Sequence, residues 1–223
     1  MADASDAEVL DRLLADRFSC RGFTDEAVDE DVIVAILESA ARTPSWCNVQ
    51  PWQVDVVSGE AVERLRAELM ADPTLGSDYP FPPGYEGEYA ERRREVGWQL
   101  YRAVGVERGD RDASAREMLR NFEFFGAPHV AIVTAPEPLG TYAAIDCGLF
   151  VQSFLLAAQA RGVATVAQAA LAQKSDVLRR WLDLPSDRLV VCGIAFGHAD
   201  PDHPANSFRA GRASLDELVR FHR

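Results

Sequence analysis

Apolar residues recur every three to four positions along residues 9–14 and again along residues 32–41, which predicts two amphipathic helices. Pro44 ends the second helix, because a proline pushes the residue before it out of the helical region. From Trp52 to Val56 apolar and polar residues alternate, which predicts a half-buried strand. The chain therefore begins with two helices followed by a strand.

The rest of the chain mixes strands and helices without a strict strand–helix alternation. Continuous apolar runs predict buried strands at residues 129–135 and 189–196, and a shorter strand is expected at 163–166. Residues 142–161 are apolar almost all round, which predicts a helix packed in the core. Further helices are expected at residues 61–70, 88–104, 112–124 and 175–182, and after a capping box of Ser214 and Glu217. This mixture predicts an α+β fold, with helices packed on one sheet.

Residues 72–87 differ in composition from their surroundings. They contain four prolines, three glycines and three aromatic residues. Flexible linkers rarely carry that many aromatic side chains, so this segment is expected to be an ordered loop. Long loops in compact domains often serve as lids. We therefore expect residues 1–223 to form a single domain with a lid or excursion at about residues 72–110.

Composition and charge narrow the possible functions. The chain has 223 residues, 48% of them hydrophobic, which is enough for one full core. Its net charge of -12 repels phosphate backbones, so a nucleic-acid partner is not expected. Its four cysteines are far apart, and no apolar signal segment precedes the first helix, which indicates a reduced, cytoplasmic protein. The longest apolar stretch, residues 143–160, is interrupted by polar residues, so no membrane partner is expected.

Two groups of arginines are candidates for anion binding in this acidic chain. If the segment "RFSCRGF" is extended, Arg17, Ser19 and Arg21 share one face, where two guanidiniums beside a hydroxyl suit a phosphate. A solvated surface pair without a ligand is an equal alternative. Arg209 and Arg212 form the second group, which alone indicates no more than surface ion pairs. Together the two groups predict one localised anion site.

Several familiar catalytic and binding motifs are missing from the sequence. There is no glycine-rich dinucleotide loop, Walker loop, HExxH, CxxC pair or GxSxG, so a bound nucleotide would be held by another device. His198 and His203 flank two aspartates, but the prolines there favour a turn, and no metal site is expected. Cys20 and Cys47 are expected to be small buried apolar residues. Residues 92–94, three arginines, could meet a nicotinamide-nucleotide phosphate, although a solvated face with helical ion pairs is favoured.

Four segments, in this order, resemble the FMN-dependent nitroreductase family. They are "RFSCRGF" at residues 17–23, "TPSWCNVQPW" at 43–52, "FFGAPHVAIV" at 124–133 and "GIAFGHADPDHPANSFRAGRASLDE" at 193–217. The chain is most similar to a nitrobenzoate-reductase-like branch. The segments that carry this likeness are "PSWCNVQPW", "ERRREVGWQLY" and "QAAL", at residues 44–52, 91–101 and 168–171. The resemblance implies a nitroreductase-like fold, with a central, mostly antiparallel sheet flanked by helices, in an intertwined homodimer.

The resemblance also implies which residues surround an FMN. Those that would come from the same chain as the cofactor are Arg17, Phe18, Ser19, Arg21, Asn121, Gln168, Ala169, Ala170, Arg209 and Arg212. Arg17, Ser19 and Arg212 would hold the phosphate and ribityl end of the cofactor. Arg21 would lie beside the pyrimidine edge of the flavin. Asn121 would lie near the ring. Many members carry a proline and a glutamate or glycine near position 168; this chain has alanines, so a main-chain amide would have to approach flavin N5.

The segment "TPSWCNVQPW" is too rich in aromatic and amide side chains for a simple connector. In the family it crosses into the partner subunit and covers the flavin there. The residues that would complete the partner's site in this way are Pro44, Ser45, Trp46, Asn48 and Gln50. The alternative is a hydrophobic plug over the sheet. For Trp52, which starts the strand, the plug is favoured. For Asn48 and Gln50, a role in the partner's site is favoured.

The implied activity is that of an oxidoreductase with FMN as cofactor and NADH or NADPH as electron donor. The flavin would take a hydride and pass it to a small aromatic acceptor, a nitroaromatic or a quinone, in a ping-pong cycle. Arg21 would favour the anionic reduced flavin. Alternatives are a flavin-cleaving or dehalogenating enzyme of the same superfamily, and a non-catalytic flavin-binding protein.

Overall fold

The fold is organised around one antiparallel sheet, seen in a computed structural model that describes residues 5–223. Its strands are β1 (Gln53–Ser58), β2 (His129–Pro136), β3 (Ala164–Gln168) and β4 (Arg188–Gly197). They pair in the order β1–β2–β4–β3, so β1 and β3 are the two edges. Every neighbouring pair is antiparallel, which confirms the predicted α+β class and sheet type.

Eight α-helices of the described residues surround this sheet. They are α1 (Asp6–Asp16), α2 (Glu30–Ala40), α3 (Glu60–Ala71), α4 (Gly87–Ala103), α5 (Arg111–Leu119), α6 (Gly140–Gln159), α7 (Ser175–Leu182) and α8 (Leu215–Leu218). The hydrophobic pattern predicts each of them to within a few residues, except the end of α5. The prediction that this helix extends to Phe124 is wrong: the helix ends at Leu119 and turns follow it. Phe124 and Phe125, both buried, take positive φ angles of 56° and 54°, which an α-helix does not contain.

The sheet is buried on both faces because successive side chains point to opposite sides. Val130 and Ile132 of β2 join one core cluster, which also contains residues of α3 and α7. Ala131 and Val133 join the other, with residues of α2 and α6. Two cores therefore fix the positions of the strand edges, where the candidate site residues lie.

Helix α6 has a buried face and an exposed apolar face. Phe154 is fully buried and packs against Phe196 of β4, with ring centroids 5.5 Å apart. By length and composition, residues 137–159 could also cross a membrane, but 44% of the apolar window lies buried inside the molecule. A helix that packs in a protein core passes the same test, and α6 packs in this way.

The first part of the 72–110 segment is fixed to the body of the protein. The buried Lys174 ammonium donates to the carbonyls of Asp72 and Thr74, the latter at 3.1 Å. Asp78 pairs with Arg179 at 2.8 Å and also accepts the Val190 amide at 2.7 Å. Helix α4 follows this anchored stretch, so the segment begins as an ordered strap, as the sequence predicts.

Candidate functional site

The arginine segment after α1 extends the sheet at its β3 edge. Ser19 forms a parallel bridge with Thr165, and the Cys20 amide donates to the Thr165 carbonyl at 3.0 Å. Cys20 is fully buried, and burial raises the pKa of its thiol to about 11. The segment is therefore extended, which meets the condition for its side chains to alternate between two faces, and Cys20 is the buried cysteine expected from the sequence.

Arg17 and Arg212 form a cationic pair that includes a buried donor without a hydrogen-bond acceptor in the described part of the chain. Burial lowers the pKa of Arg17, and the nearby Arg212 cation lowers it further. The Arg17 Nε is buried and has no hydrogen-bond partner among residues 5–223. Arg212 donates to the carbonyls of Ala210 and Gly211, both at 2.9 Å. A buried donor without a partner and two neighbouring cations are both unfavourable unless an anion is bound between them. The chemistry of the pair therefore fits an anion such as a phosphate.

Arg209 and Phe18 contact each other directly. The Arg209 guanidinium lies 3.8 Å from the centroid of the Phe18 ring and donates to the Asn206 carbonyl at 2.8 Å. This stacking joins the C-terminal segment to the arginine segment and positions Arg17 and Arg212 relative to each other. The role of both residues in holding a cofactor stays a prediction.

Arg21 is a half-buried cation held by several contacts. Its guanidinium lies 5.8 Å from the Phe125 centroid and donates to the Ser19 carbonyl at 3.3 Å. Burial lowers the pKa of Arg21, and the Glu117 carboxylate opposes that shift. The Arg21 amide donates to the Asn206 side chain at 2.9 Å. These contacts fix where its positive charge lies.

Sequence reasoning missed the residues that support Arg21. Asn206 is buried and also donates to the Gly22 carbonyl at 2.8 Å. Its position inside the segment "ANSFR", part of the family-like C-terminal motif, could have marked it as a candidate residue. Glu117 is buried 3.8 Å from Arg120, and burial raises the pKa of its carboxyl. Arg120 in turn donates to the Arg21 carbonyl at 3.3 Å. Glu117 and Arg120 are only three residues apart, but no local pattern shows that the pair is buried or that it lies beside Arg21, which is distant in sequence.

Asn121 and Gln168 meet at the far end of β3. The Gln168 side-chain amide donates to the Asn121 carbonyl at 2.8 Å, and its buried Oε1 has no partner among the described residues. Ala169 and Ala170 begin the 3₁₀ turn that follows. Ser19 pairs with Thr165, three residues before Gln168, so Ser19 and these amides are about 10 Å apart along one strand edge. The structure thus brings the predicted flavin-facing residues to one edge of the sheet.

A cavity of about 930 Å³ opens beside these residues. Arg21, Asn121 and Phe208 line one side, and α4 with the loop before it lines the other. The α4 side contributes Tyr85, Arg93, Arg94, Trp98 and Tyr101. A cavity of this size with aromatic walls can hold a planar molecule of drug-like size.

The connector before β1 has a constrained backbone. Cys47, Asn48 and Gln50 have φ angles of 52°, 56° and 50°, a region that is unfavourable for residues other than glycine. The Gln50 amide donates to the Ser45 hydroxyl at 2.8 Å, and its side chain donates to the Asn48 carbonyl at 3.1 Å. Cys47 is exposed at this turn, so the prediction that it is buried is wrong. Backbone strain of this kind is typical of segments that serve a ligand or an interface.

The connector and the arginine segment lie at opposite edges of the sheet. Three inter-strand steps, about 14 Å, separate β1 from β3. Along the strands, Gln53 aligns through Thr134 with Val190, whereas Thr165 pairs with Phe196, about 20 Å further on. The structure therefore does not bring the connector to the arginine segment of its own chain.

An exposed apolar surface surrounds the connector. It consists of Trp46, Val49, Tyr142, Ile145 and Leu149, and we call it the α6 patch. Trp46 is 61% exposed and Tyr142 57%, although their ring centroids are only 4.5 Å apart. Leu10 and Leu14, on the face of α1 predicted to be buried, are exposed as well. Contiguous apolar surface of this kind marks an interaction site.

The histidines and aspartates near position 200 are engaged in structural contacts. Within residues 5–223 no group of three or more metal-ligating side chains is arranged to hold an ion. His203 accepts the Ala205 amide at 3.2 Å through Nδ1, and its Nε2 lies 3.3 Å from Arg120.

Trp52 stacks on Phe150, with ring centroids 5.2 Å apart, as expected of a plug over the sheet.

The chain matches known proteins along most of its length. Residues 14–198 match the model of the "Nitroreductase family". The chain is 37% identical over 221 residues to "Nitroreductase NfnB" of Mycolicibacterium smegmatis, covering 97% of this chain and 94% of the relative. It is 37% identical over 222 residues to the "4-nitrobenzoate reductase" of Nocardioides sp., covering 96% and 90%. It superposes on the FMN-dependent nitroreductase NfnB from Mycobacterium smegmatis in complex with NADPH with a TM-score of 0.94, at 36% identity, covering 98% and 100%.

Proposed function

The chain belongs to the nitroreductase family, and from that premise we propose that it is an FMN-dependent enzyme that oxidises NADH or NADPH and reduces nitroaromatic or quinone-type acceptors. Its relatives are named for reducing nitrobenzoate, nitrobenzene and chloronitrobenzene, which supports the nitroaromatic class. The observation that carries the proposal is the cationic pair of Arg17 and Arg212, with a buried Arg17 Nε that no described residue satisfies.

The residues on the β3 edge fit an FMN. Arg17 and Arg212 would hold its phosphate, and Ser19 lies between Arg17 and Arg21 in the extended segment. The unsatisfied Gln168 Oε1, next to Asn121, is an acceptor for a ring N–H. When bound, FMN supplies the hydride chemistry. The protein supplies position and charge.

Arg21 would lie beside the pyrimidine edge of a bound FMN, where its positive charge would favour the reduced cofactor. Its guanidinium is held by the Phe125 ring and the Ser19 carbonyl, and its backbone amide donates to the Asn206 side chain, so it needs little reorganisation to act. A preorganised donor of this kind contributes on the order of 3 kcal/mol in other enzymes. The cavity beside it admits first the nicotinamide and then the acceptor.

We infer that the enzyme is a homodimer in which each site uses two chains. The α6 patch is apolar and exposed, and the strained connector lies within it. A second copy related by a two-fold axis would cover the patch and receive Asn48 and Gln50 at its own β3 edge. This arrangement accounts for both the exposed face of α1 and the separation of the two halves of the site within one chain.

We also propose that the 72–110 segment acts as a wall or lid over the cavity. Its start is anchored by Lys174 and Arg179, while α4 lines the cavity opposite Arg21. Residues 1–223 would then be one domain with this excursion, and the reducing, cytoplasmic location expected from the cysteines remains part of the proposal.

Anaerobic half-reactions test the function. The purified, FMN-loaded protein should lose its yellow flavin absorbance when NADPH or NADH is added, and regain it stoichiometrically with nitrobenzene or 4-nitrobenzoate. A flavin that stays oxidised would support the non-catalytic binding protein. Irreversible loss of the flavin, detected by chromatography, would support a flavin-cleaving enzyme.

A further inference from the structure

Three consecutive arginines on α4 have different surroundings. Arg92 pairs with Glu88 at 2.7 Å and with Glu217 at 3.4 Å, which confirms the ion-paired face expected from the sequence for this residue. Arg93 and Arg94 have no carboxylate within 4.0 Å among the described residues, and both line the cavity. The three arginines are adjacent in sequence, but the helix directs them to different neighbours.

The charge of the cavity is opposite to that of the protein. The chain carries a net charge of -12, yet the cavity lining includes Arg21, Arg93 and Arg94 and, among residues 5–223, no aspartate or glutamate. A local positive potential in an acidic protein attracts anions specifically to that place. Because Arg21 is already assigned to the flavin edge, the other two arginines are available to a second ligand.

The walls of the cavity favour an aromatic ligand. The Arg93 guanidinium lies 5.4 Å from the Tyr85 ring centroid, a contact that limits its freedom. Trp98 and Tyr101 add further rings to the same lining. A guanidinium presents paired donors that match a carboxylate or a phosphate. The cavity thus combines ring surfaces with two arginines suited to an anionic group.

We propose that Arg93 and Arg94 bind the anionic group of an aromatic ligand that enters the cavity beside Arg21. That group is either the carboxylate of a nitrobenzoate-type acceptor or the 2′-phosphate of NADPH, and both present oxygens of the same chemistry. This inference rests on the proposed function, because it takes the cavity as the place where donor and acceptor meet FMN.

Matched glutamine variants and ligand pairs test the inference. Arg93→Gln with Arg94→Gln removes both charges but keeps most of the side-chain length, and Arg92→Gln is the control on the same helix. Calorimetry on the FMN-loaded protein compares 4-nitrobenzoate with neutral 4-nitrobenzamide, and NADP⁺ with NAD⁺. The double variant should bind 4-nitrobenzoate, NADP⁺ or both roughly tenfold more weakly than wild type. Its affinities for 4-nitrobenzamide and NAD⁺ should change by less than about twofold.

The result also identifies the source of the anion. A loss confined to 4-nitrobenzoate assigns the arginines to the acceptor, and a loss confined to NADP⁺ assigns them to the donor. Equal changes within both pairs, or the same losses in Arg92→Gln, would overturn the inference. Because binding is measured without turnover, this test does not depend on activity. A wild-type protein that fails to reduce any acceptor would refute the proposed function, and the binding data would still support or overturn the inference.

Discussion

The backbone amide of Trp46 donates to both carboxylate oxygens of Asp146, each at 3.2 Å. This contact fastens the start of the connector to α6, whose outer face is exposed and apolar. The connector then turns through Cys47 and Asn48 with positive φ angles. It is thereby fixed on the α6 patch, and its amide side chains are exposed, away from the β3 edge of its own chain.

Replacing Arg212 with alanine should weaken FMN much more than riboflavin. The variant loses a contact to the phosphate, which riboflavin lacks, and charge-assisted hydrogen bonds contribute roughly 1.5–3 kcal/mol. Titration of the apoprotein by flavin fluorescence measures both affinities. Arg220→Ala, at an exposed position eight residues further along the chain, is the control. Equal weakening of the two flavins would place Arg212 away from the phosphate.

Arg21→Ala should retain most FMN affinity but lower the two-electron midpoint potential of the bound flavin. Loss of about 3 kcal/mol of stabilisation of the reduced form corresponds to about 60 mV for two electrons. Reductive titration against a reference dye measures the shift, and Arg21→Lys should restore part of it. A variant with the wild-type potential would show that Arg21 does not face the pyrimidine edge.

Turnover should follow a ping-pong pattern because donor and acceptor share one cavity. Double-reciprocal plots against NADPH at several concentrations of a nitroaromatic acceptor should give parallel lines. Lines that intersect to the left of the vertical axis would mean that both substrates are bound together, and the single-cavity mechanism would fail.

Acid should destabilise the fold through His129. Its Nε2 accepts the Val28 amide at 2.9 Å and its Nδ1 bonds Ser58 at 2.7 Å, so the buried ring must be neutral. Burial lowers the pKa of His129, and the nearby His198 lowers it further. The folded protein therefore binds this proton less readily than the unfolded chain. The stability is present above the unfolded pKa of about 6.5 and is lost as the pH falls below it.

Urea unfolding of wild type at pH 7.5 and 5.5 should show this loss, and His129→Gln should be less sensitive to the same change in pH. His222→Gln, at an exposed position near the C-terminus, should behave as wild type. If His129→Gln loses as much stability as wild type between the two pH values, other groups cause the acid sensitivity.

The sequence predicts those parts of the fold and site that depend on local pattern. Arg17, Ser19 and Arg21 share a face because the segment is extended, and periodicity marks most helices and strands. The contact of Glu117 with Arg120 could not be predicted, since nothing local distinguishes a buried ion pair from a surface pair on a helix. Glu88, one helical turn before Arg92, indicates the ion pair of Arg92, whereas the position of Arg93 in the cavity depends on tertiary structure.

The shared site is tested most directly by mixing two inactive variants. Arg17 is assigned to the chain that holds the flavin and Asn48 to its partner, so Arg17→Ala and Asn48→Ala should each be nearly inactive alone. In a mixed dimer one site carries both lesions and the other carries neither. Random reassembly makes about half of the dimers mixed, so about a quarter of all sites should be wild type. Co-expression should restore about a quarter of wild-type activity; no recovery, with mixed dimers confirmed by differential tags, would show that each connector serves its own chain.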